Sequence, residues 1–345
     1  MHLPYLAELD DRFEIAALCD ISDNVLAACA DRYGVERSFS DWTEMLDDPL
    51  DAVLILTPVS HAPVAIEAAR RGLHIFAEKP MAFSATEGAA MVAAADQAGV
   101  VLMVGTMKRY DPAYERLLER LPDVEDVRLV RCTTLESPLE PYVAHYPLVA
   151  PDGPGPGGTD PDAGALDDAL SSGADDETRW IYRTLLLDCL IHELNMLRGA
   201  LGEPTSVNFA RLERERVSVH LSFGEIACQI NWVDLPGIAR YRQDIDFYAG
   251  NGRLGLHLPS PFLRNAPSLL VAEGGEAGTA DGWRKEEIVG YDEAFRRELV
   301  AFADAIVDQV PTRNPGIDGL RDVMLCQAIA KSHMTGAPVA NPTAA

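Results

Sequence analysis

The chain has 345 residues, of which 48% are hydrophobic, and carries 54 acidic against 29 basic residues for a net charge of −25. This length accommodates two domains with a sizeable core, and the acidic surface disfavours nucleic acid and anionic membranes as partners. No apolar run reaches the length of a membrane span and no charged-then-apolar leader is present, so we expect a cytoplasmic protein.

The first predicted elements are a helical stretch over 1–9 and a strand over 14–19 that ends at Asp20. In a dinucleotide-binding fold, an acid at the end of the second strand hydrogen-bonds the adenosine ribose. In the alternative interpretation, Asp20 or Ser22 only caps the helix that follows. Such a fold also needs an earlier strand and a Gly-x-Gly-x-x-Gly turn, so we expect that the native chain starts roughly twenty residues further upstream.

The stretch 51–80 predicts a strand, a helix and a second strand. Ala52–Leu56 is an uninterrupted apolar run, typical of a strand buried on both faces of a parallel sheet, and Thr57-Pro58 ends it. Alanine and isoleucine recur at helical spacing between His61 and Arg71, and the second strand ends in Glu78-Lys79-Pro80. Ligands of doubly wound sheets bind beyond the carboxyl ends of the strands, so both strand ends are candidate binding sites.

Another strand is predicted over 100–104, after a helix over 85–98 that Ser84 and Glu87 cap. It leads into Gly105–Tyr114, which contains Lys108 and Arg109. At the carboxyl end of a strand these two cations can hold a substrate hydroxyl or carboxylate. The alternative is that they are ordinary surface residues.

A second domain is predicted from about residue 124. It contains an insertion over about 139–177, whose part from 151 onward is rich in proline, glycine and acids and has no base. Such a composition is typical of an exposed loop that buries no core, either as a lid over the site or as a disordered segment.

A long helix is predicted over 178–201, and it carries Asp188 and His192. Because the two residues are four apart, they share one helix face. A histidine can take the proton of a hydroxyl group while a hydride leaves, and the aspartate can bind substrate or orient the imidazole. The alternatives are a surface pair worth a few tenths of a kcal/mol and a buried structural histidine.

The remaining sequence predicts antiparallel strands and two closing helices. Strands over 205–209 and 217–232 alternate polar and apolar residues around a Gly224-Glu225 turn. Another strand follows over 242–248, and helices are predicted over 291–309 and 317–332. We expect the tail over 336–345 to be frayed.

Four stretches together resemble the Gfo/Idh/MocA family of nicotinamide-dependent oxidoreductases, most of which act on sugars, polyols and their derivatives. They are Glu78-Lys79-Pro80 after a strand, Gly105–Tyr114, Asp188–His192 and the ending over 298–339. The resemblance implies an α/β fold with two domains. The first would be a Rossmann domain over 1–121, with a doubly wound parallel sheet that lacks its first strand. The second would be an α+β domain over 122–335 with a largely antiparallel open sheet.

The resemblance also implies hydride transfer between nicotinamide and a secondary hydroxyl or carbonyl of a polyhydroxy small molecule. Lys79 would hold the reacting oxygen, His192 would be the general acid/base and Asp188 would place the substrate. The predicted cofactor-binding residues are Asp20, Thr57, Pro58, His61, Glu78, Lys79, Pro80, Lys108 and Arg109. The predicted substrate-binding residues are Lys79, Arg109, Trp180, Tyr182, Asp188 and His192.

Asp20, with no arginine between it and Arg32, favours NAD over NADP. Trp180–Thr184 stands where the family has a glycine-rich turn, and Asn195 where it often has an aspartate. These departures leave two other functions open: a non-catalytic dinucleotide- or sugar-binding protein, and a glycoside-cleaving relative that retains its NAD.

Two further expectations concern assembly and metals. By the same resemblance we expect a homo-oligomer formed through the C-terminal sheet. The six cysteines are scattered and fall mostly inside apolar runs. They indicate reduced core thiols rather than a disulfide or zinc framework, and we expect no metal site.

Overall fold

The computed structural model describes residues 1–152, 160–170 and 174–343. The chain divides into two compact units. The first unit comprises Met1–Gly105, His145–Ala169 and Glu298–Leu320. The second unit comprises Thr106–Ala144, Leu170–Arg297 and Arg321–Ala345.

This division differs from the predicted boundary after residue 121. The second unit already begins at Thr106, because a 3₁₀ turn over Met107–Tyr110 and the helix α6 (Pro112–Arg120) pack within that unit. Tyr114 and Leu117 of α6 are fully buried there. Sequence periodicity finds such a helix but not the core to which it contributes.

The first unit contains short parallel strands and the helices that connect them. Its strands are β1 (Ala17–Cys19), β2 (Arg37–Phe39), β3 (Ala52–Ile55), β4 (His74–Glu78) and β5 (Leu102–Gly105). Its helices are α1 (His2–Glu8), α2 (Asp23–Tyr33), α3 (Trp42–Met45), α4 (Ala62–Arg70), α5 (Ala85–Ala98) and α8 (Ala163–Leu170), whose last residue, Leu170, is assigned to the second unit.

The predicted parallel-strand architecture is confirmed. The strands form two sheets, one of β1 and β2 and one ordered β3-β4-β5, and no strand among the described residues joins β1 to β3. The predicted cap of α5 is also present. Ser84 Oγ accepts a hydrogen bond from the Glu87 main-chain N–H at 3.2 Å, and the Glu87 carboxylate accepts one from Phe83 N at 3.1 Å.

The prediction of an exposed insertion that buries no core is wrong for residues 160–170. Helix α8 buries Leu166 to 4% exposure, and Asp162, just before it, is 3% exposed. Average composition hid this helix because its few apolar residues are spaced to lie on one face. A short helix, α7 (Glu140–Val143), starts the insertion, and residues 153–159 and 171–173 lie outside the described part of the chain.

The second unit is built on a nine-stranded sheet. Its strands are β6 (Val127–Glu136), β7 (Ser206–Glu213), β8 (Arg216–Phe223), β9 (Ile226–Asp234), β10 (Arg242–Ala249), β11 (Gly252–Leu258), β12 (Leu269–Gly275), β13 (Gly282–Ile288) and β14 (Val339–Ala340). Their order is β13-β12-β11-β10-β6-β9-β8-β7-β14, and only β6 and β9 pair in parallel. The predicted, largely antiparallel sheet is therefore confirmed.

Two details of this sheet test the sequence interpretation. Val217, Val219 and Leu221 of β8 are all nearly fully buried, as their alternation predicts. The prediction of a frayed tail is wrong up to Asn341, because β14 pairs with β7 and the Asn341 amide donates to the Pro204 carbonyl at 2.8 Å. A polar anchor beyond a two-residue strand gives no periodic signal in the sequence.

The predicted long helix is present as a continuous helical stretch of three segments. These are α9 (Asp176–Trp180), a π-helix (Ile181–Leu190) and α10 (Ile191–Leu201). The closing helices are α11 (Ala294–Val307) and α12 (Gly316–Thr335), and each contains residues of both units. Within the described residues, we find no helix with the length and apolar character that a membrane span requires.

Candidate active site

The carboxyl end of β4 carries Glu78-Lys79-Pro80. The Lys79 side chain is half-exposed, its peptide bond to Pro80 is cis, and its main-chain N–H donates to Glu78 Oε2 at 2.9 Å. Glu78 Oε1 lies 2.6 Å from His2 Nε2. Both oxygens of Glu78 therefore have protein partners, which favours a structural role for this residue over the predicted cofactor contact.

The charges around Glu78 keep it ionised. Burial alone disfavours its charged form, but the hydrogen bond and charge of His2, followed by the charge and main-chain N–H of Lys79, outweigh burial and lower the pKa of Glu78. The main chain of Lys79 is therefore hydrogen-bonded to an ionised carboxylate at the end of β4.

The loop after β3 contains Thr57, Pro58 and His61. His61 is only 1% exposed, and its Nε2 lies 2.8 Å from the Thr57 carbonyl oxygen. Burial lowers the pKa of His61, so the imidazole is neutral near pH 7 and closes the loop on itself. Its predicted cofactor contact, like those of Thr57 and Pro58, stays a prediction.

Asp20 follows β1, as predicted. Its Oδ1 accepts a hydrogen bond from the Ser22 main-chain N–H at 2.8 Å, at the start of α2. The turn-forming role is therefore present in the structure. The predicted ribose contact concerns the same half-exposed carboxylate and stays a prediction.

Lys108 and Arg109 are not the surface cations of the alternative interpretation, since they are 5% and 8% exposed. Arg109 donates from Nε and Nη2 to the main-chain carbonyl of Asn195 at 3.0 and 2.7 Å. Lys108 Nζ donates to Gln243 Oε1 at 2.7 Å and Tyr241 Oη at 3.0 Å. These buried contacts give both side chains partners within the second unit, and their predicted ligand contacts stay a prediction.

A buried polar network continues from Lys108. Gln243 Nε2 and Thr134 Oγ1 both donate to Glu193 Oε1, each at 2.5 Å. Glu193 is the residue after His192, so the network holds the helix that carries the candidate catalytic histidine. No local sequence pattern marks Thr134, Glu193 or Gln243, because the strands and the helix that carry them meet only in the folded unit.

Asp188 and His192 stand at the junction of the π-helix and α10. Asp188 is exposed, whereas His192 is half-exposed and its Nδ1 atom is buried. π-Helical segments are rare and occur frequently at functional sites. The sequence gives no signal for this one apart from the absence of the family's usual glycine-rich turn before Asp188.

The two aromatic residues predicted to line the substrate site differ in exposure. Tyr182 is fully buried in the π-helix, which favours a core role, and its predicted contact with substrate stays a prediction. Trp180 is 37% exposed, and the Arg214 guanidinium lies 4.4 Å from the centre of its ring. Side-chain type alone could not tell a core aromatic from a surface one.

Asn195 fixes α10 from its other side. Its amide donates to Asp322 Oδ2 at 2.6 Å, and Asp322 also forms an ion pair with Arg198. Arg198 and Asp322 are 1% and 0% exposed, and Arg198 contacts Glu203 as well. A neutral residue at position 195 therefore takes part in a cluster in which the buried Arg198 pairs with two acids.

A groove of about 660 Å³ in the first unit is lined by residues that include His74, Leu102 and Ile317. His74 and Leu102 begin β4 and β5. The groove therefore lies at the amino ends of these strands, opposite the edge where parallel sheets bind ligands. We do not assign it to the site.

Comparison with known proteins places this geometry in a family context. Residues 1–106 match the family model GFO_IDH_MocA, described as an oxidoreductase family with an NAD-binding Rossmann fold. The chain is 23% identical to myo-inositol 2-dehydrogenase of Thermotoga maritima, over 96% of this chain and 92% of that protein. It is 40% identical to D-xylose 1-dehydrogenase (NADP(+)) 2 of Haloferax volcanii, over 31% of this chain and 33% of that protein.

Among solved structures, levoglucosan dehydrogenase in complex with NADH and levoglucosan superposes with a TM-score of 0.75 at 20% identity. The match covers 99% of this chain and 96% of that one. At this identity the likeness establishes the fold and leaves the substrate open.

Proposed function

We propose that this chain is a Gfo/Idh/MocA oxidoreductase that transfers a hydride between nicotinamide and a secondary hydroxyl or carbonyl carbon of a sugar, polyol or derivative. The observation that carries this proposal is the half-exposed Lys79 at the carboxyl end of β4, held through its main chain by an ionised Glu78. Strand ends of this kind are where doubly wound sheets bind their ligands.

The first unit offers groups that suit a nicotinamide dinucleotide. The half-exposed carboxylate of Asp20 directly follows β1 and can accept hydrogen bonds from ribose hydroxyls. The cofactor, when bound, accepts or supplies the hydride. Asp20 also favours NAD over NADP, which a comparison of the two cofactors in the same assay tests.

Lys79 acts on the reacting oxygen. Its ammonium group donates a hydrogen bond there and favours the negative charge that develops as the C–O bond order changes. His192 takes the hydroxyl proton during oxidation and returns it during reduction. Asp188, which is exposed, accepts hydrogen bonds from neighbouring substrate hydroxyls. A substrate rich in hydroxyl groups suits these three side chains.

The proposal is tested with Lys79→Ala and His192→Ala, assayed against a panel of polyols and aldoses with NAD and with NADP. We expect each variant to lose about 10²–10⁴-fold in kcat, the usual contribution of a positioned acid or base, while its affinity for the dinucleotide is retained. Lys331→Ala, which alters an exposed lysine of α12, is the matched control. Near-normal turnover in either active-site variant would remove the role assigned to that residue.

The same assay separates the rival functions. A binding protein would retain ligand affinity without any hydride exchange, and a glycoside-cleaving relative would release sugar without net NADH. We further propose a homo-oligomer formed through the nine-stranded sheet. Light scattering at several protein concentrations tests this, and a monomer throughout would exclude it.

A further inference from the structure

Glu298 on α11 is an unusual buried acid. It is 0% exposed, and neither carboxylate oxygen hydrogen-bonds to any group within the described residues. An ionised carboxylate in such a place has lost its water without gaining a partner, which is strongly unfavourable. A buried polar group of this kind calls for an explanation, since most are satisfied in native proteins.

The surroundings of Glu298 in the first unit are specific. One side-chain atom each of His2, Glu78 and Glu298 lies within 4.8 Å of the others. The Phe76 ring lies edge-on to both His2 and Phe302, with centroid distances of 5.4 and 5.6 Å, so apolar rings border this group.

Glu78 and Glu298 differ in the neighbouring charges that act on them. His2 and Lys79 both interact electrostatically with Glu78 and lower its pKa against the effect of burial. Among the described residues, the neighbouring charge that acts on Glu298 is the like charge of Glu78.

We propose that Glu298 is held as a neutral carboxylic acid beside an ionised Glu78, and that it is a positioning residue for Lys79. This inference rests on the proposed function, in which Lys79 contacts the reacting oxygen. Two carboxylates this close in a buried site do not both ionise. The proton goes to Glu298, because Glu78 has His2 and the Lys79 main chain as partners and Glu298 has neither.

The direction of the pKa shifts agrees with this assignment. Burial, with the charge of Glu78 added to it, raises the pKa of Glu298 well above 4.5. For Glu78, burial is outweighed by His2 and then Lys79, and its pKa is lowered. An ionised Glu298 would compete with Glu78 for His2 and so weaken the group that holds the Lys79 main chain.

The same three side chains could alternatively bind a divalent cation, which would require both glutamates to be ionised. His2 Nε2 and Glu78 Oε1 are 2.6 Å apart, which is the distance of a direct hydrogen bond between them. This contact favours the arrangement with a proton on Glu298 over one with a metal ion among the three side chains. The metal alternative therefore becomes an outcome of the test.

The first measurement needs no turnover. Because a raised pKa means that the folded state binds more protons, wild-type stability should fall as the pH rises above the ordinary value of 4.5 for this carboxyl. Glu298→Gln cannot ionise, so its urea midpoint should decline less over the same pH range. Glu119→Gln, which alters an acid with a 65% exposed side chain, is the control and should follow the wild type. Infrared spectra at neutral pH should show a protonated carboxyl band that Glu298→Gln lacks.

The second measurement addresses Lys79. Glu78→Gln should lower kcat with little change in KM, because the lysine loses its ionised support but the substrate contacts remain. If the kcat of the wild type falls at high pH, the pH at which it falls should be higher in Glu298→Gln. Identical kcat–pH profiles in this variant and the wild type would overturn the positioning role.

Two further outcomes are decisive. Stoichiometric zinc or manganese in the purified wild-type protein that Glu298→Gln does not retain would overturn the neutral-acid assignment in favour of a metal site. If the infrared and stability results agree with the proposal but no substrate of any class is turned over, the protonation state stands and the proposed function fails.

Discussion

Arg109 clamps α10 by donating two hydrogen bonds to the main-chain carbonyl of Asn195, at 3.0 and 2.7 Å. Close by, Tyr114 donates from its hydroxyl to the Met196 carbonyl at 2.8 Å. Both donors come from the Gly105–Tyr114 stretch, and both acceptors lie within one turn of His192. The motif that suggested a ligand contact therefore acts by fixing the helix that carries the candidate catalytic base.

Replacing Arg109 by methionine should destabilise the protein rather than weaken its affinity for the cofactor. The Asn195 carbonyl loses both donors in a buried place, which costs about 1–3 kcal/mol in the free energy of unfolding. Urea unfolding measures this loss. Arg116→Met, in which an arginine with a 40% exposed side chain is removed from the following helix α6, should change stability by less than about 0.5 kcal/mol. An Arg109 variant of full stability with reduced cofactor affinity would favour the predicted ligand role instead.

Gly199→Ala should be destabilising because Gly199 of α10 faces the same contacts. A Cβ atom at this position would lie 2.3 Å from Tyr114 Oη and 2.8 Å from Arg109 Nε. Relief requires those side chains to abandon their hydrogen bonds, and we expect a loss of roughly 1–3 kcal/mol by urea unfolding.

Gly164→Ala in α8 is the matched control, since a Cβ atom there meets nothing within 4 Å. At an open helical position alanine should be neutral or stabilising by up to about 1 kcal/mol. Equal effects of the two substitutions would contradict the close approach at Gly199.

Asp162→Ala should release the described part of the insertion from the loop after β3. Asp162 Oδ1 accepts a hydrogen bond from the Ser60 main-chain N–H at 3.0 Å, and the side chain is buried. Its removal leaves that N–H without this acceptor. We expect faster hydrogen exchange at Ser60 and in α8, with little change elsewhere. Asp168→Ala, an exposed acid of α8, is the control, and a similar response in both variants would contradict the anchoring role.

The buried His61 predicts a dependence of stability on pH. Burial lowers its pKa below the ordinary value of 6.5, so the unfolded chain binds the proton first as the pH falls. Wild-type stability should therefore decrease as the pH drops through about 6.5, whereas above it the contribution is fully present. His61→Gln lacks this titration, so the difference in urea midpoint between the two proteins should narrow from pH 8 to pH 5. A constant difference would contradict the neutral, buried imidazole.

Local sequence patterns determined much of the fold. The apolar run of β3, the Ser84 cap of α5 and the alternation of β8 are consequences of backbone geometry within a few residues, so they can be interpreted without knowledge of distant contacts. The same reasoning located Glu78-Lys79-Pro80 at a strand end and Asp188 and His192 on one helical stretch.

Only the tertiary structure decided which polar side chains face the interior. Arg109, Lys108 and Glu298 lie in stretches whose local pattern suits a surface residue or gives no signal for a buried charge. Their burial depends on partners far away in the chain, such as Asn195, Gln243 and Glu78. A buried charge is acceptable only where a partner or a proton neutralises it, and that balance is set by three-dimensional neighbours. For this reason the sequence could nominate the reacting groups, while the folded chain alone could separate them from the residues that hold them in place.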